Sequence, residues 1–156
     1  MRISFTSRND VHIEVFSIPP PSLHISIHLL YIANHHAIFK NVGITPVDYP
    51  YYHPATIGLD YEGFLGALHN AIPRSVFLLH ACAHNPTGVD PTKEQWATIA
   101  DVMLEKGHFA FFDCAYQGFA SGDLDRDAFA VRNMPFFLHG AHVGFMHGSF
   151  YDSMML

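Results

Sequence analysis

The sequence predicts an α/β fold with a mostly parallel sheet flanked by helices. Two short apolar runs, at residues 76–82 and 109–112, enclose an amphipathic segment. Neither run alternates between apolar and polar residues, which is typical of parallel strands that helices cover on both faces. The segment between them has helical spacing, so the three pieces form a βαβ unit, and its crossover is expected to be right-handed.

The composition narrows the classes of function. With 156 residues, of which 49% are apolar, the chain is long enough to bury a core, while a charged fraction of only 14% suggests that some apolar surface contacts something else. The formal net charge of −6 argues against a nucleic-acid partner. No apolar stretch is suited to cross a membrane, and the N-terminus resembles neither a transit peptide nor a signal peptide. Cys82 and Cys114 are expected to be reduced, buried thiols.

The two ends of the chain fit the βαβ pattern poorly. Residues 11–18 alternate weakly, three prolines follow, and residues 22–31 are expected to be irregular or a weak strand without a native partner. Residues 134–156 show neither a helical nor a strand period. We therefore divide the chain into a divergent segment 1–32, a coherent middle 33–132 and a divergent tail 133–156.

The first part of the middle segment alternates helices with short strands. Residues 34–43 predict a short helix that ends at Gly43, and residues 44–49 a short strand followed by a loop. Asp60 is a suitable N-cap for a second helix, because its carboxylate can accept hydrogen bonds from free amides of the first turn. The buried face of that helix is predicted to contain Phe64, Leu65 and Leu68.

The helix between the two apolar runs has the clearest boundaries. Thr92 and Gln95 have the spacing of a capping box, and Gly107 is suited to end the helix. One stripe of side chains should pack on the sheet: Trp96, Ile99, Ala100 and Met103. A further helix is expected within residues 125–132.

Polar residues follow both apolar runs, and the carboxyl ends of parallel strands are where ligands bind in open α/β sheets. Asn85 follows the first run, and Asp113 and Tyr116 follow the second. Asp113 could hold a ligand cation, although on its own an N-cap or loop-closing role is favoured. The Asn85–Pro86 bond is a candidate cis peptide, although on its own an ordinary turn is favoured.

Other common sites have no support in the sequence. The chain has 13 histidines, but none has a recognised zinc-binding spacing with cysteine or carboxylate, so no metal site is predicted. The sequence contains no nucleophile elbow, no P-loop and no dinucleotide fingerprint. A flavodoxin-like binding domain ranks last, because no phosphate loop is visible.

Together the motifs closely resemble aspartate aminotransferase, a class I, fold-type I enzyme that depends on pyridoxal 5′-phosphate (PLP). The resemblance covers residues 33–132 and rests on separated motifs in the right order. They are His-Ala-Cys-Ala-His-Asn-Pro-Thr-Gly-Val-Asp-Pro at 80–91, Glu-Gln-Trp at 94–96 and Phe-Phe-Asp-Cys-Ala-Tyr-Gln-Gly-Phe-Ala-Ser-Gly at 111–122. The last motif is closer to the mitochondrial branch, with a cytoplasmic form as the alternative.

The resemblance implies a partial large domain, amino-group transfer between L-aspartate and 2-oxoglutarate, and a homodimer in the full-length family. It implies that Asp113 pairs with the pyridinium nitrogen of PLP, and that His35 lies behind Asp113. Tyr116 and Asn85 match the pair that contacts the phenolic oxygen of PLP, and Asn85 also matches a contact to the substrate carboxylate.

The chain also departs from the family pattern. The Schiff-base lysine of the family lies downstream of Arg132, and no lysine of this chain matches it, so no catalytic residue is assigned. The Gly-rich phosphate cup and the substrate-binding arginines are also missing, and Ile32 replaces the ring-stacking tryptophan. The chain therefore resembles an internal fragment with foreign ends, which is expected to be inactive. The alternative is a non-catalytic fragment that acts only in folding or subunit interaction.

Overall fold

The protein is described by a computed structural model that covers residues 2–6, 12–16, 25–28, 33–41, 43–133 and 143–147. Seven strands form the main sheet: β1 (Arg2–Thr6), β2 (His12–Phe16), β3 (Ile25–His28), β4 (Val47–Tyr49), β7 (Val76–His80), β8 (Phe109–Asp113) and β9 (Val143–His147). A separate hairpin contains β5 (Tyr52–His53) and β6 (Gly58–Leu59), and it begins where the sequence predicts a loop after residue 49. The helices are α1 (Ala33–Asn41), α2 (Tyr61–Asn70), α3 (Lys93–Lys106), α4 (Leu124–Asp127) and α5 (Phe129–Asn133).

The main sheet is mostly parallel, as predicted. Its strand order is β1-β2-β9-β8-β7-β3-β4. The four pairs from β9 to β4 are parallel, and the two pairs that join β1, β2 and β9 are antiparallel. The predicted α/β fold class is therefore confirmed.

The βαβ unit of β7, α3 and β8 forms the centre of the sheet. The two strands are in register from Val76 opposite Phe109 to His80 opposite Asp113. Every residue of β7 is buried, which explains why its sequence does not alternate. The capping box of Thr92 and Gln95 is present, and Gly107 ends α3 with a left-handed backbone, as predicted.

The hydrophobic core lies between the sheet and the pair α2 and α3. The predicted stripe of α3 is buried, and Phe64 and Leu68 of α2 are fully buried, whereas Leu65 is only partly buried. Asp60 caps α2 by accepting a hydrogen bond from Gly63 N. Both cysteines are free and buried, which confirms that prediction.

One expectation about the ends was wrong, and one strand there was not predicted. β3 has native partners, because it lies between β7 and β4 and pairs with both in parallel. β9 is a strand in a region that showed no strand period, and it pairs in parallel with β8. Both strands join the sheet through backbone pairing, which local side-chain patterns do not specify. Among the helices of the described ranges, none has the length and apolarity that a membrane crossing requires.

Candidate functional site

The candidate site lies at the carboxyl ends of β7 and β8. Asp113 is the last residue of β8, and the strand register places it opposite His80, the last residue of β7. The pairing continues one step beyond β7, because Ala81 N donates to the carbonyl oxygen of Asp113 at 3.0 Å. The sheet therefore fixes the backbone on which the Asp113 side chain stands.

The Asp113 carboxylate is held on both oxygens. His35, in the first turn of α1, donates from Nε2 to Oδ2 at 3.0 Å, and Ala115 N donates to Oδ1 at 3.1 Å. The Asp113 side chain is 13% exposed and that of His35 is 4% exposed. Burial acts to raise the pKa of Asp113, but the hydrogen bond from His35 and the charges of His80 and His35 outweigh it and leave the pKa below its usual value. Asp113 is therefore ionised and available to a cation.

The loop-closing interpretation of Asp113 is also correct, since the contact with Ala115 closes the turn after β8. The two roles are compatible, because that contact uses one carboxylate oxygen. Oδ2 accepts from His35, and the Asp113 side chain retains 13% exposure.

His80 belongs to the same cluster, and the sequence prediction did not include it. Burial lowers the pKa of His80 to about 4, although the charge of Asp113 acts in the opposite direction. The His80 and His35 rings meet edge to face with centroids 5.9 Å apart. The strand register could have identified His80, because aligning the two apolar runs places it opposite Asp113.

Asn85 and Tyr116 lie together on the loops that follow the two strands. Asn85 Nδ2 donates to Tyr116 Oη at 3.5 Å, and Tyr116 is 40% exposed. The Asn85–Pro86 peptide bond is cis. An amide and a phenol thus face one another, where both can reach an oxygen atom of a ligand.

Side-chain contacts hold both loops in place. Asp90 accepts hydrogen bonds from Ala83 N and His84 N, at 2.7 and 2.9 Å. The ring of His84 stacks on Tyr51, with centroids 3.8 Å apart. The Asn85 loop is therefore anchored at the residues immediately before it.

The Tyr116 loop is anchored by Asp127, which accepts hydrogen bonds from Gly118 N, Ser121 N and Ser121 Oγ. Gly118 has φ +85°, and an added Cβ would lie 2.8 Å from Leu124 Cδ2. Only glycine meets both conditions without a shift of the backbone or of Leu124.

The three lysines lie on α1 and α3. Lys40 is in the last turn of α1, whereas His35 is in its first. Lys93 begins α3, and its Nζ lies 4.9 Å from the ring centroid of Phe129. Lys106 ends α3 and precedes β8, so it stands at the opposite end of that strand from Asp113.

Comparison with known proteins identifies the class. The family model described as "Aminotransferase class I and II" matches residues 6–150, and the chain belongs to this family. The family depends on PLP.

The particular relatives are aspartate aminotransferases. The chain is 60% identical over 99 residues to the cytoplasmic aspartate aminotransferase of Dictyostelium discoideum, a match covering 64% of this chain and 23% of the relative. It is 54% identical over 112 residues to the mitochondrial enzyme of Arabidopsis thaliana, covering 72% and 26%. Relatives thus include both cytoplasmic and mitochondrial forms.

A solved structure also connects the fold with the cofactor. An aromatic-amino-acid aminotransferase from Burkholderia pseudomallei, covalently bound to pyridoxal phosphate, superimposes with a TM-score of 0.74 at 38% identity. The match covers 80% of this chain and 31% of that one. The chain therefore spans about a quarter to a third of the length of these proteins.

Proposed function

We propose that this chain carries the part of an aspartate aminotransferase site that binds and tunes the ring of PLP. The observation that supports the proposal most strongly is the ionised, largely buried carboxylate of Asp113 held by His35. A buried carboxylate of this kind is stabilised by a protonated ring nitrogen. The described residues therefore fit the cofactor on which the family depends.

Each residue has a distinct proposed role. Asp113 pairs with the pyridinium N–H, and His35 orients the carboxylate and keeps it ionised. Asn85 and Tyr116 hydrogen-bond the phenolic oxygen, which their mutual contact supports. Asn85 also contacts the substrate carboxylate. When bound, PLP supplies an electron sink for the carbon from which the substrate loses a proton.

We propose that the reaction of the complete protein is amino-group transfer between L-aspartate and 2-oxoglutarate, and that this chain does not catalyse it. Moving the substrate proton needs a general base beside the cofactor. Lys106 stands at the opposite end of β8 from Asp113, Lys40 lies in the last turn of α1, and Lys93 Nζ lies over the Phe129 ring. No catalytic residue is assigned for this reason.

The first experiment is binding of pyridoxine 5′-phosphate, measured by calorimetry. This compound has the ring nitrogen, phenolic oxygen and phosphate of PLP but no aldehyde, so it cannot react with surface lysines. Asp113→Asn should weaken binding about 10- to 100-fold, because a charge-assisted hydrogen bond contributes roughly 1.5–3 kcal/mol.

The matched control is Asp101→Asn, the same substitution at an exposed position of α3. It should bind like the parent chain. Equal losses in the two variants, or no loss in Asp113→Asn, would rule out the proposed role of Asp113.

The second experiment measures transamination of L-aspartate and 2-oxoglutarate with PLP present. We expect the parent chain to match the rate of PLP free in solution. A higher rate that Asp113→Ala abolishes would show that the chain is an active enzyme after all.

The alternative proposal is a non-catalytic fragment that acts only in folding or subunit interaction. The charged fraction of 14% and the exposed Phe119 and Ile57 support it. Size-exclusion chromatography with hydrogen exchange distinguishes the two proposals. The alternative requires self-association or capture by a full-length subunit. A stable monomer whose amides are protected from exchange counts against it.

We further infer the finer assignments from the resemblance. Residues 33–132 form the aminotransferase-like unit, supported by 60% identity over 99 residues, although the family model extends over residues 6–150. Homodimerisation is inferred for the complete protein. A mitochondrial location is supported by the motif at 115–122, and imaging of the tagged complete protein distinguishes it from a cytoplasmic one.

A further inference from the structure

The cluster below the proposed ring site combines two imidazoles and one carboxylate. His35, His80 and Asp113 each offer one ligand atom, and these three atoms lie within 4.8 Å of one another. The residues come from α1 and from the ends of β7 and β8. Three separate elements thus direct metal-binding groups at one point.

Their chemistry is that of a first-row transition metal. Two histidines and a carboxylate form a recurring zinc ligand set, with bonds of about 2.0–2.2 Å and an open fourth position. Tetrahedral ligands at those bond lengths lie roughly 3.3 Å apart. His35 Nε2 and Asp113 Oδ2 are already 3.0 Å apart, and the three ligand atoms all lie within 4.8 Å of one another, so side-chain shifts of up to about 1.5 Å give that spacing.

Burial and charge also suit an ion here. His35 and His80 are nearly inaccessible, and the Asp113 side chain retains 13% exposure. The carboxylate offsets one charge of a divalent ion, and a water would complete the coordination as the fourth ligand. Spacing along the chain gave no warning of the cluster, because its members are 45 and 33 residues apart.

We propose that the cofactor-free chain binds one Zn²⁺ or similar divalent ion through His35, His80 and Asp113. The ion replaces the hydrogen bond between His35 and Asp113. This inference does not rest on the proposed function, although both use Asp113, so an ion and a pyridine ring exclude one another.

Titration of the cofactor-free full chain with Co²⁺ tests the proposal, because low-coordinate Co²⁺ absorbs visible light. We expect one ion per chain. His80→Ala should weaken binding about 100-fold, since removal of even an outer partner of a ligand costs 10–100-fold. The control is His36→Ala, at an exposed neighbour on α1 that pairs with Asp48, and it should leave Co²⁺ affinity unchanged.

X-ray absorption of the Zn²⁺-loaded parent chain provides a measurement that needs no variant to fold. Two imidazoles and one oxygen in the first shell are expected. The proposal is overturned if the parent binds no Co²⁺, if His36→Ala loses as much affinity as a folded His80→Ala, or if fewer than two imidazoles surround the zinc. None of these results bears on binding of pyridoxine 5′-phosphate.

Discussion

At Asp113, local electrostatics determine what the site can hold. The residue stands at the end of an apolar strand, where burial favours the neutral acid, yet two nearby histidines reverse that preference. His35 is the nearer partner and forms the direct hydrogen bond. An ionised carboxylate with little access to water then favours a cationic ligand atom.

The first prediction concerns the contact between His35 and Asp113. His35→Ala should raise the pKa of Asp113, because it removes a hydrogen bond that favours the charged carboxylate while burial remains. Carboxyl ¹³C chemical shifts measured against pH report this pKa directly. His36→Ala is the control, and an unchanged Asp113 pKa in His35→Ala would refute the coupling.

The second prediction concerns His80 and acid stability. The pKa of His80 is lowered from 6.5 to about 4 on folding, so the unfolded chain takes up a proton that the folded chain does not. Folding stability therefore falls as pH drops below 6.5 and stops falling, for this group, below about 4. The loss should reach about 2 kcal/mol at pH 5.

Denaturant unfolding at pH 7, 6 and 5 measures this loss in the parent and in His80→Gln. Burial also lowers the pKa of His108, so the free energy of unfolding of the variant still falls with pH, but less steeply. The difference between the two slopes is assigned to His80. Parallel slopes would show that His80 is protonated equally in both states.

At the scale of single elements, α3 shows which features the sequence predicts well. Its capping box, its buried stripe and its terminal glycine all follow from local spacing, and all are present. The pairing of β3 and the strand β9 were not predicted, because their place in the sheet depends on backbone pairing with distant strands. The candidate site shows the same difference. Asn85, Asp113 and Tyr116 can be predicted because they follow apolar runs, whereas predicting His80 requires the register of β7 against β8.

The third prediction tests the cap of α3. Thr92→Ala should destabilise the fold by about 1 kcal/mol, because Gln95 N loses the acceptor that caps the start of the helix. Thr98→Ala is the matched control: Thr98 lies exposed inside the same helix, where alanine is well tolerated. Chemical denaturation measures both, and equal effects would refute a capping contribution.

At the scale of the whole molecule, the aromatic core positions the site. Tyr49 stacks on Phe64 with centroids 4.9 Å apart, and Trp96 meets Phe112 at 6.1 Å. Phe112 directly precedes Asp113. Packing of the sheet against α2 and α3 thus fixes the strand ends that carry the polar residues.

The fourth prediction compares one substitution at two depths. Phe112→Ala should cost about 3–5 kcal/mol, because Phe112 is fully buried and its loss leaves a cavity. Phe119→Ala should be within about 0.5 kcal/mol of the parent, because Phe119 is 69% exposed. Thermal unfolding followed by circular dichroism measures both, and a large loss at Phe119 would contradict this contrast between the two positions.

The central claim is that Asp113 keeps a bound pyridine ring protonated. The most direct measurement is the ¹⁵N chemical shift of the ring nitrogen in labelled pyridoxine 5′-phosphate, bound at an alkaline pH where the free ring is neutral. We predict a pyridinium shift with the parent chain and a neutral pyridine shift with Asp113→Asn. A neutral shift with the parent chain, or one shift shared by both, would contradict the claim.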